Sequence, residues 1–146
     1  MYPDDRVAGF IREHFIALRA HVKTGQDVFA RFNAQWTPTI LIVDERGVEH
    51  HRIEGFLPAA DFLAQLKLGL AHDARERGDW VTAQKFYGEL SNDPSSEDVA
   101  AEAVYWLGVS KYKATNDPSP LGATAAALRD RFPKSSWTKK SSVWLQ

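Results

Sequence analysis

Few side chains of this sequence are of the types that do chemistry, and the most conspicuous are the adjacent histidines His50 and His51. Two histidines suggest a metal site, but neighbouring residues of a strand point to opposite faces of a sheet and cannot ligate one ion. We interpret the pair as a solvated strand end and predict no metal site. Acidic residues such as Asp4 and Asp44 show no spacing that predicts a carboxylate pair at catalytic separation. We expect them to cap a helix and to shape a turn.

The sequence contains no cysteine. This count excludes structural disulfides, thiolate zinc sites, iron–sulfur clusters, cysteine nucleophiles and dithiol redox chemistry within the chain. The sequence also lacks a glycine-rich phosphate loop and a Gly-x-Ser-x-Gly elbow. These features favour a non-enzymatic function, and we predict no cofactor.

Size, charge and hydropathy restrict the class of protein further. The chain has 146 residues, which is enough for one compact domain or two small units. Its 18 Lys and Arg residues nearly balance 19 Asp and Glu residues, and this argues against a nucleic-acid partner. No apolar run approaches the ~18 residues that a membrane span needs, and the acidic N-terminus is unlike a signal peptide. We therefore expect a cytoplasmic protein that does not contact membranes.

The pattern of elements changes near residue 72, which predicts two parts, residues 1–71 and residues 72–146. Periodicity in the first part predicts the order helix, strand, helix, strand, strand, helix. A turn at Asp44–Gly47 joins the last two strands into a hairpin, and a short helix is expected at Asp27–Ala34. The predicted strands are Phe15–Val22, Thr39–Val43 and Val48–Ile53. The second part shows only helical spacing, so the fold class is α/β followed by all-α.

The turns of the second part recur along the chain. Pro133 follows Pro94 by 39 residues, and Trp144 follows Trp106 by 38 residues. A period near 38 residues, made of helix–turn–helix units, indicates a helical repeat. One repeat and a half would not bury its apolar face alone, so we expect it to dock on the first part or on a partner.

A Trp-Thr-Pro-Thr turn before an aliphatic strand, with a glycine some 17 residues later, is the most specific motif of the first part. With Phe10–Phe15 and Phe29–Asp44, it makes residues 4–70 similar to the thioredoxin-like family from its catalytic helix onward. The resemblance implies a cis peptide bond before Pro38. It also implies that Trp36, Thr37 and Pro38 form a loop that binds peptide or substrate chain. A cis-proline that serves the turn geometry alone is the other interpretation.

The resemblance does not supply the nucleophile of that family. Family members carry a Cys-x-x-Cys pair at the start of the helix whose end is found here, and Met1 falls near the middle of that helix. The resemblance therefore implies an incomplete thioredoxin-like fold and a redox-inactive scaffold that binds protein partners or peptide. The alternative is the C-terminal part of a thiol–disulfide oxidoreductase whose Cys-x-x-Cys segment is missing from this chain. An in-frame Cys-x-x-Cys in the DNA upstream of Met1 would favour the alternative.

Residues 72–146 resemble tetratricopeptide-type (TPR-like) repeats through Gly78-Asp79-Trp80, Pro94 and Tyr105–Gly108. This resemblance implies a C-terminal helical-repeat tail. The large aromatic residues of such repeats either line a groove for a peptide or pack between helices. The candidates for a peptide surface are Trp80, Tyr105, Trp137 and Trp144.

The family sheet contains one strand between those equivalent to Phe15–Val22 and Thr39–Val43, and this chain has no residues for it. Unpaired backbone groups beside an apolar run are costly if buried and prone to association if exposed. We therefore predict that the chain self-associates, or binds a protein partner, through this unpaired sheet edge. Direct pairing of the two strands is the competing outcome.

Overall fold

Helices make up most of the chain, and a two-stranded sheet lies among the first of them. The computed structural model describes residues 3–146. Contacts divide the chain into two units, Met1–Leu63 and Ala64–Gln146. The predicted order, α/β followed by all-α, is confirmed. The elements are α1 (Asp5–His14), α2 (Gln26–Arg31), β1 (Thr39–Val43), β2 (Glu49–Glu54), α3 (Ala59–Glu76), α4 (Trp80–Ser91), α5 (Glu97–Thr115), α6 (Ser119–Arg131), α7 (Ser136–Ser141) and a final 3-10 helix (Ser142–Leu145).

The sheet is an antiparallel hairpin of β1 and β2. The aliphatic run predicted as a strand forms β1 with the predicted bounds, because aliphatic and β-branched side chains suit a half-buried pleated surface. Gly47 closes the turn: its N–H donates to the Asp44 carbonyl over 2.9 Å, and its φ of 78° lies in the left-handed region that favours glycine. The hairpin therefore forms where local sequence signals place it.

One face of the hairpin contributes to the apolar core of the first unit. Ile42 in β1 and Ile53 in β2 are buried, as are Val7 in α1 and Phe62 at the start of α3. Asp4 caps α1 by accepting the N–H groups of residues 6 and 7. Helices and strands of the first unit therefore both contribute side chains to its core.

The segment predicted as a strand at Phe15–Val22 is not one, and this prediction was wrong. It is irregular in the structure, and Ile16 and Leu18 are each 93% exposed. A strand needs a neighbouring strand to pair its backbone groups. Among residues 3–146, β1 pairs with β2 alone, so the segment has no such neighbour. The alternation of apolar residues indicates a tendency to form a strand. It gives no information on whether a second strand is available to pair with it.

Arg52 of β2 joins the sheet to α2. Its guanidinium donates to the Phe32 carbonyl over 2.5 Å, at the C-terminus of the helix, and pairs with Glu49 over 2.8 Å. Helix α2 ends at Arg31, earlier than predicted, because Asn33 adopts a left-handed φ of 49°. A cation at this helix end complements the partial negative charge of the free carbonyl groups.

The second unit is built from helices, and two of its turns fall at Pro94 and Pro133, as the sequence predicts. Asp79, Ser96 and Ser135 cap α4, α5 and α7 by accepting backbone N–H groups of the first turn. Because Ser135 caps α7, this helix begins at Ser136. A core cluster of the second unit joins α5 to α6 through Ala100, Ala101, Val104, Leu128 and Phe132.

Candidate functional site

The loop that precedes β1 is exposed and held in place from both sides. Trp36 is 66% exposed, and Thr37 and Pro38 are exposed beside it. The Thr37–Pro38 peptide bond is cis. The Thr39 hydroxyl donates to the Trp36 carbonyl over 2.7 Å, and the Gly55 N–H donates to the Pro38 carbonyl over 2.8 Å. The structure thus brings the three residues predicted as a peptide-binding loop together on the surface.

Several backbone groups in and beside this loop have no hydrogen-bond partner among the described residues. Within residues 3–146, neither the N–H nor the carbonyl of Thr37 makes a hydrogen bond. Bonds from the Gly55 N–H to the Pro38 carbonyl and from the Asp44 N–H to the Val48 carbonyl show that residues 38 and 44 face β2. Because alternate residues of an antiparallel strand face opposite edges, the odd-numbered residues of β1 face away from β2. These residues are Thr39, Leu41 and Val43.

The loop and β1 together present a continuous edge for an extended polypeptide. We call the outward backbone groups of Thr37 and of the odd-numbered residues of β1 the free edge. An extended segment laid along a free edge gains main-chain hydrogen bonds, while neighbouring side chains select its sequence. The indole of Trp36 offers a large apolar contact beside that edge. The arrangement offers backbone hydrogen-bonding groups and an indole ring, and the sequence contains no cysteine that could act as a thiol nucleophile.

The acid and histidine of the hairpin turn form a buried pair. His50 Nε2 lies 3.0 Å from Asp44 Oδ2, and each side chain is only 4% exposed. Asp44 also accepts the backbone N–H groups of Arg46 and Val48. The hydrogen bond to His50, followed by that to the Val48 N–H, lowers the pKa of Asp44 from its ordinary value of 3.8.

This pair corrects the interpretation of His50 as part of a solvated strand end. His50 reaches back across the turn to Asp44, whereas its neighbour His51 pairs with Ile42 in the register of the hairpin. Among the described residues, no group of three or more His, Cys, Asp or Glu side chains could hold a metal ion. The contacts of Asp44 bind together the two ends of the turn, which gives the pair a structural role.

Three of the four aromatic residues predicted as a peptide surface of the second unit lie together. Tyr105 of α5 stacks on Trp144 of the 3-10 helix at 4.8 Å between centroids and contacts Trp137 of α7 at 5.1 Å. Trp106 joins the group by contacting Trp137 at 6.1 Å. Trp80, the fourth candidate, begins α4 and makes no ring contact within residues 3–146. We call Tyr105, Trp106, Trp137 and Trp144 the aromatic cluster.

Cations lie over two rings of the aromatic cluster. The Arg75 guanidinium is 3.8 Å from the centroid of Trp106, and the Lys140 ammonium is 3.8 Å from that of Trp137. Each cation is attracted to the negative face of its ring. The cluster therefore packs together three helical elements, and its partly exposed rings also form part of the surface.

Sequence reasoning missed a buried polar network beside the aromatic cluster. His72 Nδ1 lies 2.6 Å from the Tyr87 hydroxyl, and His72 Nε2 lies 3.1 Å from Glu102. Arg75 donates to the same hydroxyl over 3.2 Å. Burial raises the pKa of Tyr87 well above its ordinary value of 10.0, so this hydroxyl stays protonated and is no nucleophile. The one available signal was a histidine among the apolar residues of α3, next to Ala71.

Comparisons with known proteins agree with the architecture of the first unit. A family model described as a thioredoxin-like domain matches residues 2–69. The searches of curated proteins and of solved structures found no significant match. None of the helices within residues 3–146 is both long and apolar enough to span a lipid bilayer. The chain thus contains an incomplete thioredoxin-like fold followed by an all-α part.

Proposed function

Because residues 2–69 match a thioredoxin-like domain, we propose that this part of the chain is a redox-inactive scaffold that binds extended segments of protein partners. The partner segment lies along the free edge and contacts Trp36 at its end. Binding uses main-chain hydrogen bonds and apolar contact, and no thiol exchange takes place.

One observation carries this proposal. The exposed Trp36–Pro38 loop leads directly into a strand whose outward backbone groups are unpaired within residues 3–146. Exposed edge strands pair readily with other chains unless charge, proline or a covering segment blocks them. The outward residues of β1 are Thr39, Leu41 and Val43, so no charged residue and no proline interrupts this edge.

The alternative function requires chemistry from outside this chain. A thiol–disulfide oxidoreductase would need a dithiol near Pro38, and the 146 residues supply no cysteine. Binding of an extended segment requires only groups that the chain itself contains. The residues present therefore support the scaffold function better.

We also propose that the all-α part is a TPR-like tail that offers a second contact surface for a partner. The partly exposed rings of the aromatic cluster support this role, because aromatic side chains dominate the energetics of protein interfaces. The residues of that surface that we expect to contact a partner are Tyr105, Trp137 and Trp144. Trp80 is left out because it has no contact with the other rings in the described part of the chain.

Binding of a permanently unfolded polypeptide tests the scaffold function. The probe is fluorescently labelled α-lactalbumin that has been reduced and carboxymethylated, and its anisotropy is measured as the 146-residue chain is added. Val43→Pro removes an outward N–H of β1 without removing a bond to β2. We expect this variant to bind at least about 10-fold more weakly than the wild type.

Val43→Thr is the matched control, because threonine keeps the N–H and the β-branched shape. It should bind the probe as the wild type does. Trp36→Ala should weaken binding through the loss of apolar contact and leave the fold unchanged by circular dichroism. Equal affinities of the proline and threonine variants would contradict the use of the β1 edge.

A further inference from the structure

An apolar stretch of the first unit is uncovered in the described part of the chain. Ile16 and Leu18 are almost fully exposed, and Val22 is 52% exposed. Within residues 3–146, the backbone groups of residues 16–20 make no hydrogen bond. We call residues 16–22 the apolar segment. Aliphatic side chains gain free energy when they leave water, so such a segment favours any surface that can cover it.

Side chains alternate along the apolar segment as they do in a strand with one buried face. In an extended conformation, Arg19 and His21 would point to one side. The opposite side would carry the apolar residues Ile16, Leu18, Ala20 and Val22. The segment is therefore amphipathic with a period of two, although it is irregular in this structure.

The hairpin has one apolar face that matches the apolar side of the apolar segment. Its apolar face carries Ile40, Ile42 and Ile53. Its other face carries Leu41 and Val43 on β1 and, on β2, Glu49 and Glu54, which are 33% and 55% exposed and both pair with Arg52. A strand added at the β1 edge can direct its aliphatic side chains to the isoleucine face. Its basic side chains then lie on the face that holds the two glutamates.

We propose that the apolar segment of one copy of this chain adds as a strand to the free edge of a second copy, and that the exchange is reciprocal. The inference rests on the proposed function, because it requires that the free edge accept an extended chain. Each copy contributes one segment and one edge, so the two pairings are related by a twofold axis and close the assembly as a dimer. The apolar side of each segment then continues the isoleucine face of the sheet to which it is added.

The local geometry favours exchange over pairing within one copy. The carbonyl of His21 accepts the N–H groups of Thr24 and Gly25, and this turn leads directly into α2. Gly25 lies so close to Ala20 that a Cβ at Gly25 would be 2.9 Å from the Cβ of Ala20. The tight turn holds the segment in its unpaired arrangement while the edge of β1 stays free in the same copy.

Sedimentation velocity of the 146-residue chain, from low to high micromolar concentration, tests the exchange. The wild type should sediment as a dimer. Leu18→Glu places a charge on the apolar side of the segment, and Val43→Pro removes an outward N–H donor of the free edge. Each variant alone should raise the dissociation constant of the dimer at least about 10-fold, equivalent to 1.4 kcal/mol. Val81→Glu, at a position 82% exposed in the second unit, is the charge-matched control and should remain dimeric.

Mixing the two variants tests reciprocity. In a mixed dimer, both defects fall in the same pairing, and the other pairing joins a wild-type segment to a wild-type edge. The mixture should therefore form more dimer than either variant alone. A dimer that persists in both variants, or a mixture that gains no dimer, would overturn the exchange.

Failure of the inference and failure of the proposed function give different results. A monomeric wild type that binds carboxymethylated α-lactalbumin overturns the exchange and leaves the scaffold function standing. In the dimer the free edge is occupied, so the probe is also added to Leu18→Glu, which keeps that edge intact. A dimer that is sensitive to both variants, together with a monomeric Leu18→Glu protein that does not bind the probe, supports the exchange and contradicts binding of other partners. A monomer that binds no probe overturns both. Protection of residues 16–22 from hydrogen exchange in a monomer would show pairing within one copy and would also overturn the exchange.

Discussion

The Nδ1 atom of His72 in α3 lies 2.6 Å from the hydroxyl of Tyr87 in α4, and the tyrosine side chain is completely buried. The other ring nitrogen of His72 faces Glu102 of α5 over 3.1 Å. One histidine thereby connects three helices of the second unit through hydrogen bonds. Buried polar groups with all their partners in place specify one packing arrangement, because leaving any of them unpaired is costly.

Replacing Tyr87 with phenylalanine should destabilise the second unit by about 1–3 kcal/mol, because the buried Nδ1 of His72 loses its partner. Urea denaturation followed by circular dichroism measures the change. Tyr112→Phe is the matched control, since the Tyr112 hydroxyl makes no hydrogen bond within residues 3–146. A Tyr87→Phe protein as stable as this control would show that the network does not stabilise the helices.

Acid should loosen the hairpin turn of the first unit. The lowered pKa of Asp44 means that the folded state prefers the carboxylate more strongly than the unfolded state does. Its stabilising contribution is therefore fully present above the ordinary pKa of 3.8 and is lost as the pH falls through the lower folded-state pKa. Hydrogen exchange of the Arg46 and Val48 amides, corrected for the intrinsic pH dependence, should accelerate in that range.

The Asp44→Asn variant should show faster exchange of those two amides already at neutral pH, and less further change in acid. Asp27→Asn serves as the control, because the Asp27 side chain makes no hydrogen bond within the described residues. Unchanged exchange at Arg46 and Val48 in Asp44→Asn would contradict the role assigned to the carboxylate.

Two glycines in helices should respond oppositely to alanine. At Gly108 of α5, a Cβ would lie 2.8 Å from the Cβ of Thr124 in α6, so Gly108→Ala should destabilise the chain by about 1–3 kcal/mol. At Gly88 of α4, a Cβ would meet nothing within 4 Å. Gly88→Ala should therefore stabilise the chain by about 0.5–1 kcal/mol through helix propensity.

Thermal denaturation of the two alanine variants measures whether each substitution stabilises or destabilises the chain. Adding Thr124→Ala to Gly108→Ala removes the hydroxyl and the methyl group that crowd the new side chain and should recover part of the loss. Destabilisation of equal size in both glycine variants would show that close packing of α5 on α6 is not the cause.

The 146-residue chain should not catalyse reduction of insulin disulfides. Exchange requires a thiolate to attack a disulfide sulfur, and the sequence contains no cysteine. Turbidity of insulin in dithiothreitol should therefore rise at the same rate with and without the protein. Acceleration that scales with protein concentration would refute a redox-inactive scaffold.

Local signals in the sequence were sufficient to predict many of the helices, strands and turns. The aliphatic run of β1 and the Asp44–Gly47 turn are encoded within a few residues, and the turns of the helical part fall at clusters of proline, serine and aspartate. Apolar periodicity separated an α/β part from an all-α part for the same reason. Chain geometry and side-chain preference act over one or two turns of backbone, and a single sequence displays them directly.

Only the tertiary structure determines which of these elements and side chains contact one another. The segment at Phe15–Val22 alternates as a strand does, but a strand exists only when another strand pairs with it, and β1 pairs with β2 alone in the described chain. Likewise, the residues around His72 do not predict its hydrogen bond to Tyr87, which lies 15 residues away and on another helix. Hydrogen-bond partners across elements depend on how helices pack, and packing is set by the summed fit of many side chains rather than by the spacing of any few.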